Sequence, residues 1–328
     1  PDCWSCKGGL IEYSNGVFTR YDDTNSGLSI PNLTTVWCAG NGHVYCASKD
    51  GTLFDLFNGT WSAHFLGNSP IPSTFVTRLM KGSGNDILWL INDYDPLDPN
   101  NEVWSYKNCE WTERFRAPYI IDAAEGMDGS LYVRFKNRTV RVVDGQVVDT
   151  VMTSGIPDEP GLDFTEIAMD GQSGFWYDTF GYATYDQWGN AILHEGLGHL
   201  VGDSSTVFTS QNSPFHASAI TSIQVDEQDG AWILTDAGVY RFRNNQWTSW
   251  LNTSASFMGH PANRLFVHSA EDVWVGYQNG VAHIRDDSII NFDLTGEGNF
   301  IGAGAMEDSM MYLSGYPAYV STYDYATS

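Results

Sequence analysis

The sequence predicts an all-β protein: a single seven-bladed β-propeller of four-stranded blades, its ring closed by N-terminal and C-terminal strands sharing one blade. Three observations carry that prediction. An aromatic residue returns seven times in one local setting, apolar and polar residues alternate with period two, and Gly, Asn and Asp turns recur about every 8 to 12 residues. Helical repeats of similar length need apolar residues at i, i+3, i+4 and i+7, and these segments lack them.

The recurring aromatics are Tyr45, Trp89, Tyr132, Trp176, Trp232, Trp274 and Tyr312, spaced by 44, 43, 44, 56, 42 and 38 residues on subtraction. About ten residues before each lies another short strand, as in TTVWCAG, YIIDAAEG and AITSIQVDE. Each pair reads as an inner hairpin, with starts expected near 33, 75, 118, 163, 218, 263 and 299. Outer hairpins follow, among them GTLFDLFNGTWSAHF and AGVYRFRNNQWTSW, with Asn-Gly and Asn-Asn turns of the kind that two-residue hairpins require. The first outer hairpin, residues 9–21, precedes every inner one, and the inner hairpin at 299–313 has none after it. The N-terminal hairpin is therefore expected to complete the last blade, which removes the open edge. This divides the chain into an N-terminal CxxC segment at 1–8, a propeller at 9–314 and a Tyr-rich strand or tail at 315–328.

Residues 9–47, GLIEYSNGVFTRYDDTNSGLSIPNLTTVWCAGNGHVYCA, resemble the two-component-regulator propeller repeat nearly end to end, and residues 220–250 resemble it again. The resemblance implies the propeller fold. It also implies a periplasmic sensor module ahead of a membrane span and a kinase, neither of which this sequence encodes. A fold hosts many activities, so function must come from a site.

The chain of 328 residues has 16 basic and 40 acidic residues, a net charge of −24. Such a surface repels nucleic-acid phosphates and anionic lipid, so neither is an expected partner, and cations are the better match. No run of about 18 apolar residues predicts a membrane helix. The start at Pro1 and the acidic, Lys-poor composition lead to an expectation of an exported, extracellular or periplasmic protein.

Chemistry is expected where the repeat is broken. In a propeller the connections between second and third strands and those between blades emerge on one face, and two of them read as long: 92–102 and 195–218. The first gathers Asp93, Asp95, Asp98, Asn100 and Glu102, oxygen ligands that suit calcium, the one cofactor expected; a solvated acidic turn is the other interpretation. The second gathers His194, His199 and His216 as a candidate ligand or metal face, although HEGLGH spaces its His residues wrongly for a helical zinc motif. Trp188, with Trp4, Trp37 and Trp250, lies off the blade pattern and is a candidate for stacking a carbohydrate ligand. The sequence holds no GxSxG, P-loop or dinucleotide GxGxxG motif, and Asp170, Asp226 and Asp229 read as turn formers.

Cys38 and Cys46 flank a short turn on paired strands, open either to a cross-strand disulfide or to two reduced core thiols. Cys3 and Cys6 form a CxxC, and one of them is a candidate partner for Cys109; the odd count leaves a thiol for a neighbouring chain. Tyr316, Tyr319, Tyr323 and Tyr325 mark a terminal strand in need of a sheet edge. The function expected is a non-catalytic, exported binding or assembly module that self-associates or binds other surface proteins, as the repeating subunit of a surface structure or filament. The alternatives are a periplasmic ligand-sensing propeller and a polysaccharide-acting or lyase-type propeller enzyme.

Overall fold

The structure, a computed structural model, describes residues 9–316 except 27, 29–32, 40–41, 49–51, 65–67, 69–75, 82–87, 93–99, 108–109, 119, 121, 127, 136–137, 153–166, 171–173, 179–181, 186–190, 195, 203, 216–218, 253–256, 258–259, 261, 279, 286–287, 295–299 and 308–309. All regular structure among the described residues is β-strand, and no helix there is long and apolar enough to cross a membrane.

Among the described residues, thirty strands form seven four-stranded antiparallel sheets and one two-stranded hairpin. The first sheet holds β3 (Leu33–Ala39), β4 (His43–Ser48), β5 (Leu53–Phe57) and β6 (Thr60–His64). The second holds β7 (Val76–Lys81), β8 (Leu88–Asn92), β9 (Asn100–Lys107) and β10 (Glu110–Pro118). The third is β11 (Asp122–Glu125), β12 (Leu131–Arg134), β13 (Arg138–Val143) and β14 (Gln146–Met152). The fourth is β15 (Ile167–Met169), β16 (Phe175–Asp178), β19 (Leu197–Val201) and β20 (Ser204–Phe208), with the hairpin β17 (Tyr182–Tyr185) and β18 (Ala191–His194) inserted between its second and third strands. The fifth is β21 (Ile220–Val225), β22 (Ala231–Thr235), β23 (Gly238–Arg243) and β24 (Gln246–Leu251). The sixth is β25 (Ala262–Ser269), β26 (Asp272–Tyr277), β27 (Gly280–Arg285) and β28 (Ser288–Asp293). The seventh is shared by the two ends of the chain: β1 (Gly9–Ser14) and β2 (Val17–Tyr21) complete β29 (Phe300–Glu307) and β30 (Met310–Tyr316) in the order β2-β1-β30-β29.

All seven recurring aromatics stand on second strands, and each faces a polar residue of the third strand. The pairs are Tyr45 with Asp55, Trp89 with Ser105, Tyr132 with Arg141, Trp176 with His199, Trp232 with Arg241, Trp274 with His283, and Tyr312 with Glu12. The 56-residue interval after Trp176 reflects the inserted hairpin. The region expected as a long loop at 195–218 is corrected by the same finding: residues 197–208 are the third and fourth strands of the fourth sheet, and the insertion lies before them. Tyr316 belongs to β30, opposite Phe300, so the sheet runs two residues past the expected boundary at 314.

Seven apolar clusters among the described residues each join two consecutive sheets. Trp37, Tyr45 and Tyr106 join the first to the second, and Val103 and Val133 the second to the third. Further seams follow through Tyr132 and Phe175, Trp176 and Tyr240, and Trp250 and Val275. Trp274 and Met311 join the sixth sheet to the seventh, and Tyr312 and Val44 join the seventh to the first. Side chains also bond the backbone of the next sheet: Asp122 Oδ2 accepts from Ile167 N at 2.8 Å, and the Gln224 amide both donates to Leu265 O and accepts from Val267 N.

The outer hairpins close as the sequence requires. Asn58 and Gly59, with φ of 49° and 73°, form one turn, and Asn15-Gly16, Asp144-Gly145 and Asn244-Asn245 repeat the pair of positive φ values. A different glycine opens a third strand: at Gly238, φ is +138° and an added Cβ would collide with the carbonyl oxygen of Trp250 on the adjacent strand. Nothing lies within 4 Å of a Cβ at Gly59. Gly59→Ala is therefore expected to cost only the left-handed backbone strain, about 1–2 kcal/mol, and Gly238→Ala to cost more because the ladder must also shift. Urea unfolding of both variants checks the order.

Candidate functional site

Three His–carboxylate pairs stand out chemically. His199 Nε2 lies 2.6 Å from Asp170 Oδ2, His283 Nε2 lies 2.7 Å from Asp272 Oδ1, and His43 Nδ1 lies 2.8 Å from Asp55 Oδ1. Each imidazole also lies flat on an aromatic ring: His199 on Trp176 at 3.9 Å, His283 on Trp274 at 4.1 Å, and His43 on Phe57 at 4.0 Å. In the fifth sheet Arg241 takes the place of the His, 5.1 Å over Trp232, and in the third Arg141 is paired with Asp128.

All but the His43–Asp55 pair, whose carboxylate stands on the third strand β5 and whose His opens β4, are one device repeated. A carboxylate in or beside the turn between first and second strands fixes a ring or cation on the strands beyond, and at Asp128, Asp170 and Asp226 it also ties down that turn's amides. Asp226 accepts from Gln228 N, Gly230 N and Trp232 Nε1; Asp170 accepts from Gly174 N. Ser130 and Arg141 hold the Asp128 carboxyl down at about 2. Burial raises the Asp272 carboxyl, but its bonds from His283 and Trp274 outweigh burial and leave it below its usual range. Asp170 and Asp226 are turn formers, as the sequence suggests, but their ring partners are not legible in it. A His–Asp pair that recurs from sheet to sheet is scaffold, and His199 belongs to it.

The departures are found at the other end of the strands. Two residues beyond the second-strand aromatic stand Ala47 in the first sheet, Leu234 in the fifth and Gly276 in the sixth. In the third and fourth sheets that position is Arg134 and Asp178, which are 0% and 2% exposed. Asp122 lies opposite Arg134 on β11, and Thr139 opposite it on β13, where Leu53 and Val239 occupy the first and fifth sheets. Burial pushes the Arg134 guanidinium below its ordinary value, and the charges of Asp178, Tyr177 and Asp122 oppose that. Its carbon lies 5.7 Å from the centre of the Tyr177 ring, whose hydroxyl is 2.8 Å from Ser205 Oγ. Gly198 on β19 is required beneath the same ring, because a Cβ there would collide with it. The result is a buried row of Asp122, Arg134 and Thr139 across one sheet, joined by Asp178 from the next. It lies where the chain leaves β16 for the inserted hairpin.

The sequence-predicted residues are dispersed. His194 ends β18 opposite Tyr182, and His199 stands on β19 with Asp170, so the two are on different hairpins. His216 and Trp188 lie outside the described residues, as do Asp93, Asp95 and Asp98. Asn100 opens β9 opposite Pro118. The Glu102 carboxylate is buried and held by Arg116 and by Trp104 Nε1 at 2.7 Å. No group of three or more His, Cys, Asp or Glu among the described residues is arranged to hold a metal ion.

Trp37 and Trp250 are corrected as stacking platforms: both are 7% exposed, on Tyr45 and Trp232 respectively. Of the two readings of Cys38 and Cys46, the structure has the reduced core thiols. The register sets Cys38 opposite Val44 and Cys46 opposite Val36, and both residues are buried thiols. Burial, with the Asp55 charge, pushes the Cys46 thiol far above its ordinary range. Cys3, Cys6, Cys109, Trp4, Tyr319, Tyr323 and Tyr325 lie outside the described residues.

Comparison with solved structures places this architecture among β-propellers. A streptogramin B lyase structure superposes with a TM-score of 0.63 at 13% identity, covering 96% of this chain and all of that one. A catalytically inactive virginiamycin B lyase from Staphylococcus aureus, in a crystal structure with quinupristin, gives 0.61 at 12% identity, covering 87% and 94%. YCF48 bound to a D1 peptide gives 0.54 at 10% identity, covering 88% and 93%. At such identities the likeness shows the fold alone. No family model matches the chain, and no curated protein matches it. The resemblance to the two-component-regulator repeat therefore rests on the sequence pattern alone.

Arg134 is a buried positive charge acted on by the Asp178 and Asp122 carboxylates, and removing one member of such a set leaves the others uncompensated. Arg134→Met is expected to cost about 3–5 kcal/mol, and adding Asp178→Asn to recover part of the loss. Urea midpoints of the wild type and both variants check this.

Proposed function

We propose that the protein is an exported, non-catalytic propeller, a closed seven-bladed ring that acts as a binding and assembly module and associates with further copies of itself. The observation that carries this is the distribution of exposed apolar side chains. Among the described residues, Val17, Val147, Val148, Val207, Leu251 and Ile290 are each between 40% and 63% exposed, and all six stand on fourth strands. Apolar surface left in water on the outer rim of a rigid ring suits lateral contact with another protein. The seven seams between consecutive sheets support the closed ring, and the recurrence of the His–Asp pairs supports a scaffolding role for the most chemically suggestive residues. YCF48, a protein of the same fold, is described with a bound peptide.

The thiols fit the same function. With Cys38 and Cys46 buried, the other three cysteines are Cys3, Cys6 and Cys109, an odd number that leaves one for a link between copies. Calcium on the 92–102 segment and a carbohydrate ligand remain proposals of the sequence alone. Sedimentation velocity and negative-stain imaging of the full chain, before and after reductant, test the assembly role. Rings or fibres that grow with concentration are expected, and monomers at every concentration overturn it.

A lyase activity is a second possibility, favoured by the buried Asp122–Arg134–Asp178 row beside the inserted hairpin and by the fold shared with lyases. Its expected outcome is consumption of quinupristin by the purified chain, followed by mass spectrometry. An unchanged substrate over prolonged incubation removes that substrate class.

A further inference from the structure

The seventh sheet is built from both ends of the chain, and the sequence continues beyond it. Its strand order is β2-β1-β30-β29, so β2 stands at the edge. Among the described residues Val17 on β2 is the most exposed large apolar side chain, at 63%, and Thr19, on the same face of the strand, is also exposed. On the other face Phe18 packs against Tyr13 and Phe292, within the seam to the sixth sheet. The β1–β2 ladder runs through five consecutive pairs without a break, whereas the outer strands β10 and β14 each carry an unmatched residue. A regular edge presents its backbone donors and acceptors at the spacing an added strand needs.

The segment after β30 has the composition and the starting point to meet that edge. The residues that follow Tyr316, PAYVSTYDYATS, lie outside the described residues. They include Tyr319, Val320, Thr322, Tyr323 and Tyr325, residue types enriched in strands, while Pro317 has no N–H with which to extend the β30 ladder. Register fixes the direction. Leu10 lies opposite Tyr21 on one side and Ser314 on the other, so the end of β30 is level with the end of β2. A segment that leaves β30 there and turns back runs antiparallel to β2. The position outside β2 is three strand spacings from β30, about 14 Å. Four extended residues, Pro317 to Val320, span about 13–14 Å. Ser321 to Tyr325 then run alongside β2 with Tyr325 opposite Val17 and Tyr323 opposite Thr19. Aromatic and β-branched side chains make favourable cross-strand pairs. The same segment of another copy offers the same pairs, but so short a tether gives the chain's own segment an effective concentration on the order of millimolar.

We propose that residues 321–325 add to β2 of their own chain as a fifth strand of the seventh sheet, covering Val17 and closing that edge. The proposal is independent of self-association, which it narrows only by withdrawing Val17 from the rim. Its test is hydrogen exchange followed by mass spectrometry on the full chain across a concentration series. The wild type is compared with Tyr323→Glu/Tyr325→Glu and with Ile290→Glu, a change on the outer strand β28, and circular dichroism checks that each variant is folded. Peptides covering 17–21 and 321–325 are expected to exchange at least tenfold more slowly in the wild type than in the double tyrosine variant, at every concentration, with Ile290→Glu matching the wild type. A wild-type 321–325 segment that exchanges as fast as an unstructured peptide overturns the proposal, as does a tyrosine variant that leaves exchange at 17–21 unchanged. Protection that appears only as concentration rises assigns the strand to a neighbouring copy and overturns it too.

Discussion

A twisted four-stranded sheet has two apolar faces and cannot bury either against its own strands. In this chain each face is buried against the next sheet, so the seven seams between sheets are the core, and every other feature depends on them. Trp232 and Trp274, 1% and 3% exposed, belong to the second strands that form those seams, and burying a large apolar side chain contributes about 1.5–3 kcal/mol. The seam between the seventh sheet and the first has a special requirement. It unites Leu10 near the N-terminus with Tyr312 near the C-terminus, so it forms only once both ends have arrived. The fourth strands lie at the edges of their sheets.

The same repeat that builds the seams also produces groups that look catalytic. A His stacked on a Trp and bonded to an Asp is a plausible general base when seen once. Seen in the fourth and sixth sheets at one register, with Arg241 and Arg141 substituting elsewhere, it is a way of fixing a turn and covering a ring. Aromatic contacts of this kind contribute about 0.5–1.5 kcal/mol beyond their buried area. The informative residues are those the repeat does not call for. Arg134 and Asp178 put charge where other sheets carry Ala, Leu or Gly, and Val148 on β14, like Arg114 on β10, is an extra residue that its partner strand does not match.

These departures explain why the fold was easier to read than the site. The aromatic spacing, the Asn-Gly turns and the displaced N-terminal hairpin all have local signatures, and the structure bears out the strand positions they imply to within about four residues. Residues 195–218 misled because the insertion hides the strands around it: His199 reads as a loop residue until Trp176 is seen opposite. The state of Cys38 and Cys46 stays open in the sequence for a related reason. A turn shorter or longer by one residue moves every cross-strand partner, and the pairing of Cys38 with Val44 is set by that register.

What the sequence determined by itself was the periodic part: an all-β chain, seven aromatic-centred units, the turns between their strands, and a first hairpin without an inner partner. Period-two alternation and positive-φ turns act over a few residues, so they are visible in one dimension. Only the tertiary structure decided which residues meet across sheets. Asp122 and Ile167 are 45 residues apart and bonded, and Arg134 faces Tyr177 and Asp178 from another sheet. It also decided that Val148 is an unmatched residue in water, because a bulge is defined by the strand it pairs with. Contacts between units depend on how the sheets twist and stack, and nothing in the local sequence records that.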